Sequence, residues 1–399
     1  MTSKGQMVGM GRRLRARGLR SGLVGLVGLA CLGLAATACG SANGSSTGST
    51  SGSGSGGSGG SGTTAGSGSG SSPTTADPGS SGGSGVTVHL GYFPNITHAP
   101  ALVGVQEGIF QKALGPDKLA TPSIFSAGPA ENQALLSGSV DIAFEGPSSA
   151  LSAYSSSKSV TIIAGAASGG AGLVVDKSIT SPKQLKGVKL GSPQLANTQD
   201  VALRYWLKTQ GYTTTSTGGG TVHVLPSSTG SGTIVTEFES HAIQGAWMPE
   251  PYEQELIAAG GHVLVPESSL WPKGQWATTN VVVRNAFLQA HPATVSRFLQ
   301  GLLNTLAFIK DHRSEAEAAA NKQLGSLQGG KTLTPSVLRA SFANLTFTDD
   351  PEASTLAAQV KHGEMVGLLK SPGNLKPIYD LAPLNKLLAK AGQPQVKEL

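Results

Sequence analysis

The pattern of hydrophobic and polar positions divides the chain into three regions. Residues 22–36 are apolar and uncharged, residues 40–85 are almost all glycine, serine and threonine, and from Val86 onward short apolar runs alternate with amphipathic segments. Short apolar runs indicate buried strands, whereas longer segments with apolar positions three and four apart indicate helices. Only the third region has the pattern of a folded domain.

Strands and helices are predicted to alternate in this third region up to a last strand that ends at residue 283, and helices are predicted to dominate from His291 onward. The predicted strands are 86–92, 121–125, 140–144, 160–166, 173–175, 189–191, 222–226, 243–247 and 278–283. The predicted helices include 99–110, 130–136, 148–154, 198–209, 233–239, 251–259, 293–310 and 314–324. Such alternation predicts an α/β fold with mainly parallel sheets.

Two segments about a hundred residues apart repeat the same order of elements. Residues 136–147 and 238–249 both run from a helix end through a tight turn into a strand and then a turn that carries proline. This internal similarity predicts two related α/β halves, with a cleft between them.

The N-terminal region has the order of a secretory signal. Lys4 and five arginines precede the apolar run, which ends in Ala36-Thr37-Ala38-Cys39. The run is too short and too rich in glycine to favour a membrane-spanning helix. These residues resemble the lipobox of bacterial lipoproteins, with Ala36 where leucine is commoner, and the resemblance implies lipidation of Cys39. A plain secretory signal and an uncleaved anchor are the alternatives.

Charge and cysteine content narrow the function of the folded part. Six of the 29 basic residues and none of the 23 acidic residues lie in residues 1–38, so the rest of the chain is formally neutral. This balance argues against a nucleic-acid footprint and against a polybasic membrane surface. Both cysteines, Cys31 and Cys39, precede the folded region, which therefore lacks disulfides, thiolate metal sites and cysteine nucleophiles.

The Gly/Ser stretch over residues 40–85 is expected to be a disordered tether that spans ~40 Å.

A series of motifs in the folded region is similar to one family. The motifs are residues 91–100, 104–110, 127–130, 136–143, 146–147, 165–170, 193–204, 246–251, 270–272 and 278–280. Over about residues 86–310 they resemble the nitrate/sulfonate/taurine group of solute-binding proteins that serve ABC importers. Gln244 departs from the family pattern, which has aspartate there, as at Asp141 in the first half.

The resemblance implies a two-lobe, type II periplasmic-binding-protein-like fold with a ligand cleft between the lobes. The expected organisation is a signal peptide over 1–39, a tether over 40–85, the first lobe over 86–172, the second lobe over 173–280, and a return to the first lobe with C-terminal helices over 281–399. In open α/β sheets, ligands bind beyond the carboxyl ends of the strands.

The candidate ligand-binding residues lie in the loops that follow the predicted strands. They are Asn95, Thr97, His98, Gly128, Pro147, Ser148, Ser168, Gly169, Gly170, Gln194, Asn197, Thr198, Trp247 and Glu250. Several of these loops open helices, whose free N–H groups favour an anion. We expect no catalytic residue, no metal site and no cofactor, because the zinc-protease, P-loop and zinc-cysteine motifs are absent from the sequence.

Some candidates have a second interpretation. Ser148 and Thr198 are equally suited to be helix N-caps, and Trp247 to core packing. Glu145 and Glu250 would repel an anion; they would instead bind an ammonium group, pair with Arg204 or contact the importer.

The expected function is the extracytoplasmic solute-binding component of an ABC importer, held at the membrane by the lipid on Cys39. The expected ligand is a small organic anion, an aliphatic sulfonate or taurine; nitrate, bicarbonate and a thiamine-precursor-like aromatic are the alternatives. The expected partners are the permease and ATPase subunits, with no nucleic acid, and the chain is expected to be a monomer. Hypotheses of another class are a lipid-anchored sensor module and a secreted hydrolase.

Overall fold

The computed structural model describes residues 85–399. The predicted signal peptide, Cys39 and nearly all of the predicted tether lie outside the described residues. Strands and helices alternate, as the sequence pattern predicts, and the helices dominate after residue 284. The strands are β1 Thr87–Val88, β2 Leu90–Tyr92, β3 Lys118–Leu119, β4 Ser123–Ile124, β5 Ile142–Glu145, β6 Val160–Gly169, β7 Ala171–Asp176, β8 Lys189–Ser192, β9 His223–Pro226, β10 Gly245–Pro249, β11 Gly261–Pro266, β12 Ala277–Arg284 and β13 Leu345–Phe347.

Helices cover both faces of the sheets. They are α1 Ala99–Gln106, α2 Ile109–Leu114, α3 Gly128–Ser137, α4 Pro147–Ser157, α5 Thr198–Thr209, α6 Ser231–Glu239, α7 Tyr252–Ala258, α8 Asn285–Ala290, α9 Pro292–Asp311, α10 Arg313–Leu327, α11 Pro335–Ala343, α12 Ala353–Met365 and α13 Ala382–Lys390. None of the helices within residues 85–399 has the length and apolarity needed to cross a membrane.

Two separate sheets form the centres of the two lobes. The first lobe contains a six-stranded sheet in the order β13-β6-β12-β5-β2-β4, in which β12 runs antiparallel to β5 and β6. The second lobe contains a five-stranded sheet in the order β11-β7-β10-β8-β9, in which β7 is antiparallel to both of its neighbours. β13 is also antiparallel to its neighbour β6. The strands β5, β2 and β4 of the first sheet are parallel to one another, as are β10, β8 and β9 of the second. Each lobe therefore directs the carboxyl ends of its parallel strands to one edge.

The cores follow from the two-residue period of the strands. Phe144 packs with Phe110 and Phe298 on one face of the first sheet, whereas Ala143 packs against α3 and α4 on the other. In the second sheet, Leu173 and Val175 share one cluster with Trp206 and Trp247, and Val174 belongs to the opposite cluster. Both sheets are buried on two faces, which accounts for their continuous apolar runs.

The chain crosses between the lobes twice. The first crossing lies between β6 and β7, where Gly169 and Gly170 have φ values of 84° and 70°. A side chain is strained at such values, and a Cβ at Gly170 would lie 2.4 Å from Leu345 Cδ2. The second crossing lies between β11 and β12 and contains the short helical turns Glu267–Leu270 and Pro272–Gly274. The lobe boundaries expected at residues 172 and 280 stay a prediction, and both fall close to these crossings.

Two predicted elements are divided in the structure. The strand predicted over 86–92 is β1 followed by β2, which lie in different sheets; between them the Asp141 carboxylate accepts the His89 N–H at 3.0 Å. The helix predicted over 99–110 is α1 followed by α2, because Gly108 adopts φ 64° and ends the first helical run.

Candidate ligand-binding site

The carboxyl ends of the parallel strands of both lobes border a shared cleft. Its inner part is a cavity of about 20 Å³. An adjoining outer cavity of about 780 Å³ shares Phe93, Asn95, Ser126 and Ser231 with it. We use "the cleft" for these two cavities together. The residues that line the inner cavity are Phe93, Asn95, Thr97, His98, Ser126, Gly146, Pro193, Asn197, Thr198, Gln199, Ser231, Pro249 and Thr278.

His98 contributes a neutral hydrogen-bond donor to this cavity. Its Nδ1 accepts the backbone N–H of Phe93 at 3.2 Å, and its ring stacks on the Phe93 ring with 4.5 Å between centroids. Burial lowers the pKa of His98 to about 3. The imidazole is therefore uncharged at neutral pH and carries its proton on Nε2, because Nδ1 is the acceptor.

Asn95 and Thr97 form a second polar unit on the same side of the cleft. The Thr97 hydroxyl donates to Asn95 Oδ1 at 2.7 Å, and both residues are buried. Since the oxygen of the amide is occupied by Thr97, its Nδ2 group remains as a donor. Asn95 directly precedes the short turn Ile96–His98, which contains Thr97, and both lie in the segment that follows β2.

The second lobe contributes the N-terminus of α5. Asn197 caps this helix, because its Oδ1 accepts the Gln199 N–H at 3.1 Å. Thr198 Oγ1 accepts the N–H of Ser148 at 3.4 Å, and thereby joins the first turn of α5 to the first turn of α4 in the other lobe. Asn197 and Thr198 consequently combine a structural role with a position on the cleft.

A buried ion pair holds the loop that precedes α5. The Asp200 carboxylate accepts from Ser192 Oγ at 2.7 Å, from the Ala196 N–H at 3.0 Å and from Arg204 Nε at 3.0 Å. Burial raises the pKa of Asp200, although Arg204 and these hydrogen bonds oppose the shift. Arg204 therefore pairs with Asp200, and not with Glu145 or Glu250 as one of the alternatives for those two residues proposed.

Four helices of at least nine residues begin at the loops around the cleft: α3, α4, α5 and α6. The first N–H groups of a helix have no partner within the helix, and they carry partial positive charge. Of the described residues that line the cleft, Lys331 in the outer cavity is the one cation, and Glu255 faces the same cavity. The inner cavity is therefore lined by uncharged groups, which suit a small anion or a polar neutral ligand.

Other candidate residues lie beside the cleft without lining it. Ser148 Oγ accepts from Gln359 Nε2. Pro147 follows Gly146 at the start of α4, and Gln194 is adjacent to Pro193. A Cβ at Gly128 would lie 1.8 Å from Ser149 Oγ, so this glycine allows α3 and α4 to approach each other.

A third group of candidates lies away from the cleft. Ser168, Gly169 and Gly170 line a separate cavity of about 920 Å³ beside the crossing segments, which we call the hinge cavity. Trp247 is fully buried in the core of the second lobe and donates its indole N–H to Glu267 at 2.7 Å. Glu250 is fully buried and accepts from Ser341 and Asn344. Trp247 therefore packs in the core of the second lobe, which is the second of its two interpretations.

Glu131 and Glu145 form a buried pair of carboxyl groups behind the cleft in the first lobe. Both side chains are fully buried, and none of their oxygens has a hydrogen-bond partner among the described residues. Burial raises the pKa of Glu145 to about 8. Burial and the repulsion of Glu145 raise the pKa of Glu131 well above its usual value. The pair is therefore largely protonated at neutral pH, which removes the repulsion that an anion would otherwise meet.

Eight residues that line the inner cavity are not among the candidates: Phe93, Ser126, Gly146, Pro193, Gln199, Ser231, Pro249 and Thr278. The rule that ligands bind beyond the carboxyl ends of strands, applied to β4 and β9 as well, would have included Ser126 and Ser231. Within residues 85–399, no three His, Cys, Asp or Glu side chains are grouped closely enough to hold a metal ion.

A family model supplies the identification. The model described as the NMT1-like family matches residues 82–322, so the chain belongs to this family. No curated protein sequence matches the chain significantly.

Solved structures with low sequence identity share the fold. The alkanesulfonate-binding protein SsuA from Xanthomonas axonopodis pv. citri, bound to MOPS, is 16% identical, with a TM-score of 0.61 over 75% of this chain and 99% of that chain. The periplasmic nitrate-binding protein NrtA from Synechocystis PCC 6803 is 14% identical, with a TM-score of 0.64 over 78% and 90%. A Candida albicans protein described as having the generic periplasmic binding protein fold is 12% identical, with a TM-score of 0.54 over 78% and 97%. The predicted two-lobe periplasmic-binding-protein fold and the predicted resemblance are confirmed.

Proposed function

We propose that this protein is the extracytoplasmic solute-binding component of an ABC importer and captures a small organic anion, an aliphatic sulfonate or taurine. The observation that carries the proposal is the cleft itself, where the N-termini of α4, α5 and α6 and neutral donors from both lobes converge on one cavity. Membership in the NMT1-like family and the likeness to sulfonate- and nitrate-binding proteins support it.

Binding would proceed without a formal positive charge in the inner cavity. The His98 Nε2–H, the Asn95 amide and the hydroxyl groups of Thr198 and Ser231 would donate to the anion, and helix N–H groups would add partial positive charge. The protonated Glu131–Glu145 pair would keep negative charge away from the ligand. Closure of the lobes would then present one surface to a permease, while a lipid on Cys39 would keep the protein near it.

A smaller anion is the second candidate. The inner cavity of about 20 Å³ favours nitrate or bicarbonate over a longer sulfonate, whose chain would need to extend into the outer cavity. Asn95 and Ser126 line both cavities, so their neighbourhood would accommodate the atom that joins an anionic head to its chain.

Thermal denaturation of the chain with Cys39→Ser, in the presence of single ligands, tests the proposal. Methanesulfonate, taurine, nitrate, bicarbonate and a pyrimidine base are the probes. Binding to the folded state alone raises stability by RT ln(1 + [L]/Kd), ~2.7 kcal/mol at a hundredfold excess over Kd. A rise in melting temperature with one of the anions supports the proposal, and that anion identifies the class of ligand.

A pair of variants then locates the binding. Asn95→Ala is expected to weaken the affinity by about ten- to a hundredfold, because a buried donor to the anion is lost. Asn304→Ala is the control, since that amide is exposed and bonds to Gln300. A shift with the pyrimidine base alone, or equal affinities for both variants, would overturn the anion site.

A further inference from the structure

The C-terminal part of the chain crosses both lobes. Residues 335–365 comprise α11, β13 and α12, lie beyond the family-matched residues 82–322, and are called the strap here. β13 pairs antiparallel with β6 at the edge of the first sheet. The Gly165 N–H donates to Asp349 O at 2.7 Å, and Ser168 Oγ donates to Glu352 Oε1 at 2.8 Å. The strap is thus an integral part of the first lobe.

The strap contacts the second lobe first at the end of β10. The Glu250 carboxylate accepts from Ser341 Oγ at 3.0 Å and from Asn344 Nδ2 at 2.9 Å. Glu250 and Ser341 are fully buried, so water does not replace these bonds while the lobes are together. Separation of the lobes would break both hydrogen bonds and expose the Glu250 carboxyl group, so this contact opposes separation.

A second contact lies on α5. The His362 ring stacks on the Tyr205 ring with 3.6 Å between centroids and an interplanar angle of 18°. Lys208 Nζ donates to the carbonyl oxygen of Met365, and Trp271 of the second crossing lies 5.0 Å from the His362 ring. Burial lowers the pKa of His362 to about 4, so the stacked ring is neutral at physiological pH.

The two contacts lie on opposite faces of the first sheet. α11 places Leu338 and Phe342 in the apolar cluster that contains Phe144, whereas α12 places Leu356 and Val360 in the cluster that contains Ala143. A rotation that opens the cleft by hinging at the crossings would pull the second lobe away from at least one of the contacts. Separation of the lobes therefore requires a break in the strap contacts or a bend in the strap.

We propose that the strap is a latch that biases the two lobes towards the closed arrangement. The Glu250–Asn344 and Tyr205–His362 contacts stabilise the closed arrangement and have no equivalent when the lobes are apart. The apparent dissociation constant of a ligand equals its intrinsic value divided by the fraction of binding-competent molecules. The latch therefore adjusts ligand affinity from residues that do not line the cleft.

The distance between the lobes is the direct test. Cysteines introduced at Lys112 and Lys183, which are exposed in the first and the second lobe, carry spin labels in a full chain with Cys31→Ser and Cys39→Ser. Pulsed electron spin resonance measures the distribution of distances between them. The latch variant Asn344→Ala/His362→Ala is expected to gain a population at larger separations. An unchanged distribution in a folded latch variant would overturn the proposal.

Two further variants separate opening from misfolding. Asn321→Ala/His312→Ala removes a side-chain amide that bonds to backbone atoms of Leu333 and an exposed imidazole within the first lobe, and it is expected to keep the parent distribution. If the latch variant does not fold, Tyr205→Ala removes the stack from the second lobe alone and is expected to broaden the distribution. A distribution as narrow as that of the parent would contradict the latch.

Ligand affinity provides an independent readout that rests on the proposed function. With a ligand from the thermal screen, the latch variant is expected to bind about tenfold more weakly, although it keeps every residue that lines the inner cavity. Equal affinity in a variant with separated lobes would contradict the coupling of the latch to binding. The failure of every ligand to bind would overturn the proposed function alone, because the distance measurement requires no ligand.

Discussion

Two sites beside the cleft, one in each lobe, handle buried carboxyl groups in opposite ways. In the second lobe, Asp200 is fully buried, yet it has an arginine, a hydroxyl and a backbone N–H as partners. In the first lobe, Glu131 and Glu145 are fully buried beside each other and have no partner among the described residues. The Asp200 site thus keeps a charge and compensates it, whereas the Glu131–Glu145 site keeps acids that burial holds neutral.

This difference indicates how each lobe shapes its side of the cleft. The Asp200 network fixes the backbone of the loop before α5, where Ala196 adopts φ 63°. The neutral pair in the first lobe instead controls the electrostatic potential behind the cleft. One site therefore relies on ion-pair geometry, and the other relies on a protonation state.

The largest expected effect is the removal of the compensating cation. Arg204→Met leaves Asp200 buried without its partner and is expected to lower the free energy of unfolding by ~3–5 kcal/mol in denaturant titrations. The double variant Arg204→Met/Asp200→Leu is expected to recover most of this loss, since the orphaned charge is also removed. A loss below ~1 kcal/mol in Arg204→Met would show that the ion pair is not essential to the second lobe.

The next effect is a dependence of stability on pH that originates in buried acids. Burial raises the pKa values of Glu145 and Glu253 to about 8 and that of Glu267 to about 7. Repulsion from Glu250 and Glu267 adds to the shift of Glu253. The folded state then binds more protons than the unfolded state, so this stability is complete below the ordinary carboxyl pKa and is lost as the pH rises to about 8.

Calorimetry between pH 6.5 and 9 measures this loss. The melting temperature is expected to fall as the pH rises, with up to ~1.4 kcal/mol lost per pH unit for each such group. Glu145→Gln removes one titrating acid and is expected to flatten the profile. Glu364→Gln, on the exposed side of α12, is expected to leave it unchanged. Parallel profiles for Glu145→Gln and the parent protein would contradict the protonated state of the pair.

The smallest expected effect compares one helix cap in each lobe. Asn197 caps α5 and lines the cleft, whereas Thr334 caps α11 by accepting the Val337 N–H at 3.4 Å and does not line the cleft. Alanine at either position is expected to cost ~1 kcal/mol of unfolding free energy. Asn197→Ala is also expected to weaken ligand binding, whereas Thr334→Ala is not. Equal affinities would restrict Asn197 to its capping role.

The sequence predicted the features that depend on residues close together in the chain. The alternation of apolar runs predicted the α/β fold because each run is a strand buried on two faces. Asn95, Thr97, His98, Asn197 and Thr198 meet at one cavity because they follow strands whose carboxyl ends share an edge. Gly108 was the exception, since a glycine within a helical pattern does not reveal its backbone conformation until packing selects it.

The remaining features depend on partners that are distant in the chain. Glu250 lies beside the cleft loops in sequence, but its donors Ser341 and Asn344 come about ninety residues later. Trp247 was compatible with a ligand wall or a core until β10 took a central position in the second sheet. Gly169 and Gly170 follow a strand, as ligand-contacting residues do, but that strand leads into a crossing and not into the cleft.

The position of β12 determines the order in which the two sheets can be completed during synthesis. All five strands of the second sheet lie within residues 171–266, so that sheet is fully synthesised before β12 emerges. The first sheet begins earlier and finishes later, because β12 inserts between β5 and β6 and β13 covers the far side of β6. Until then, the edges of β5 and β6 are open to pairing with other chains. The half of the protein made first is therefore the half completed last, and the edges of β5 and β6 stay unpaired until β12 inserts between them.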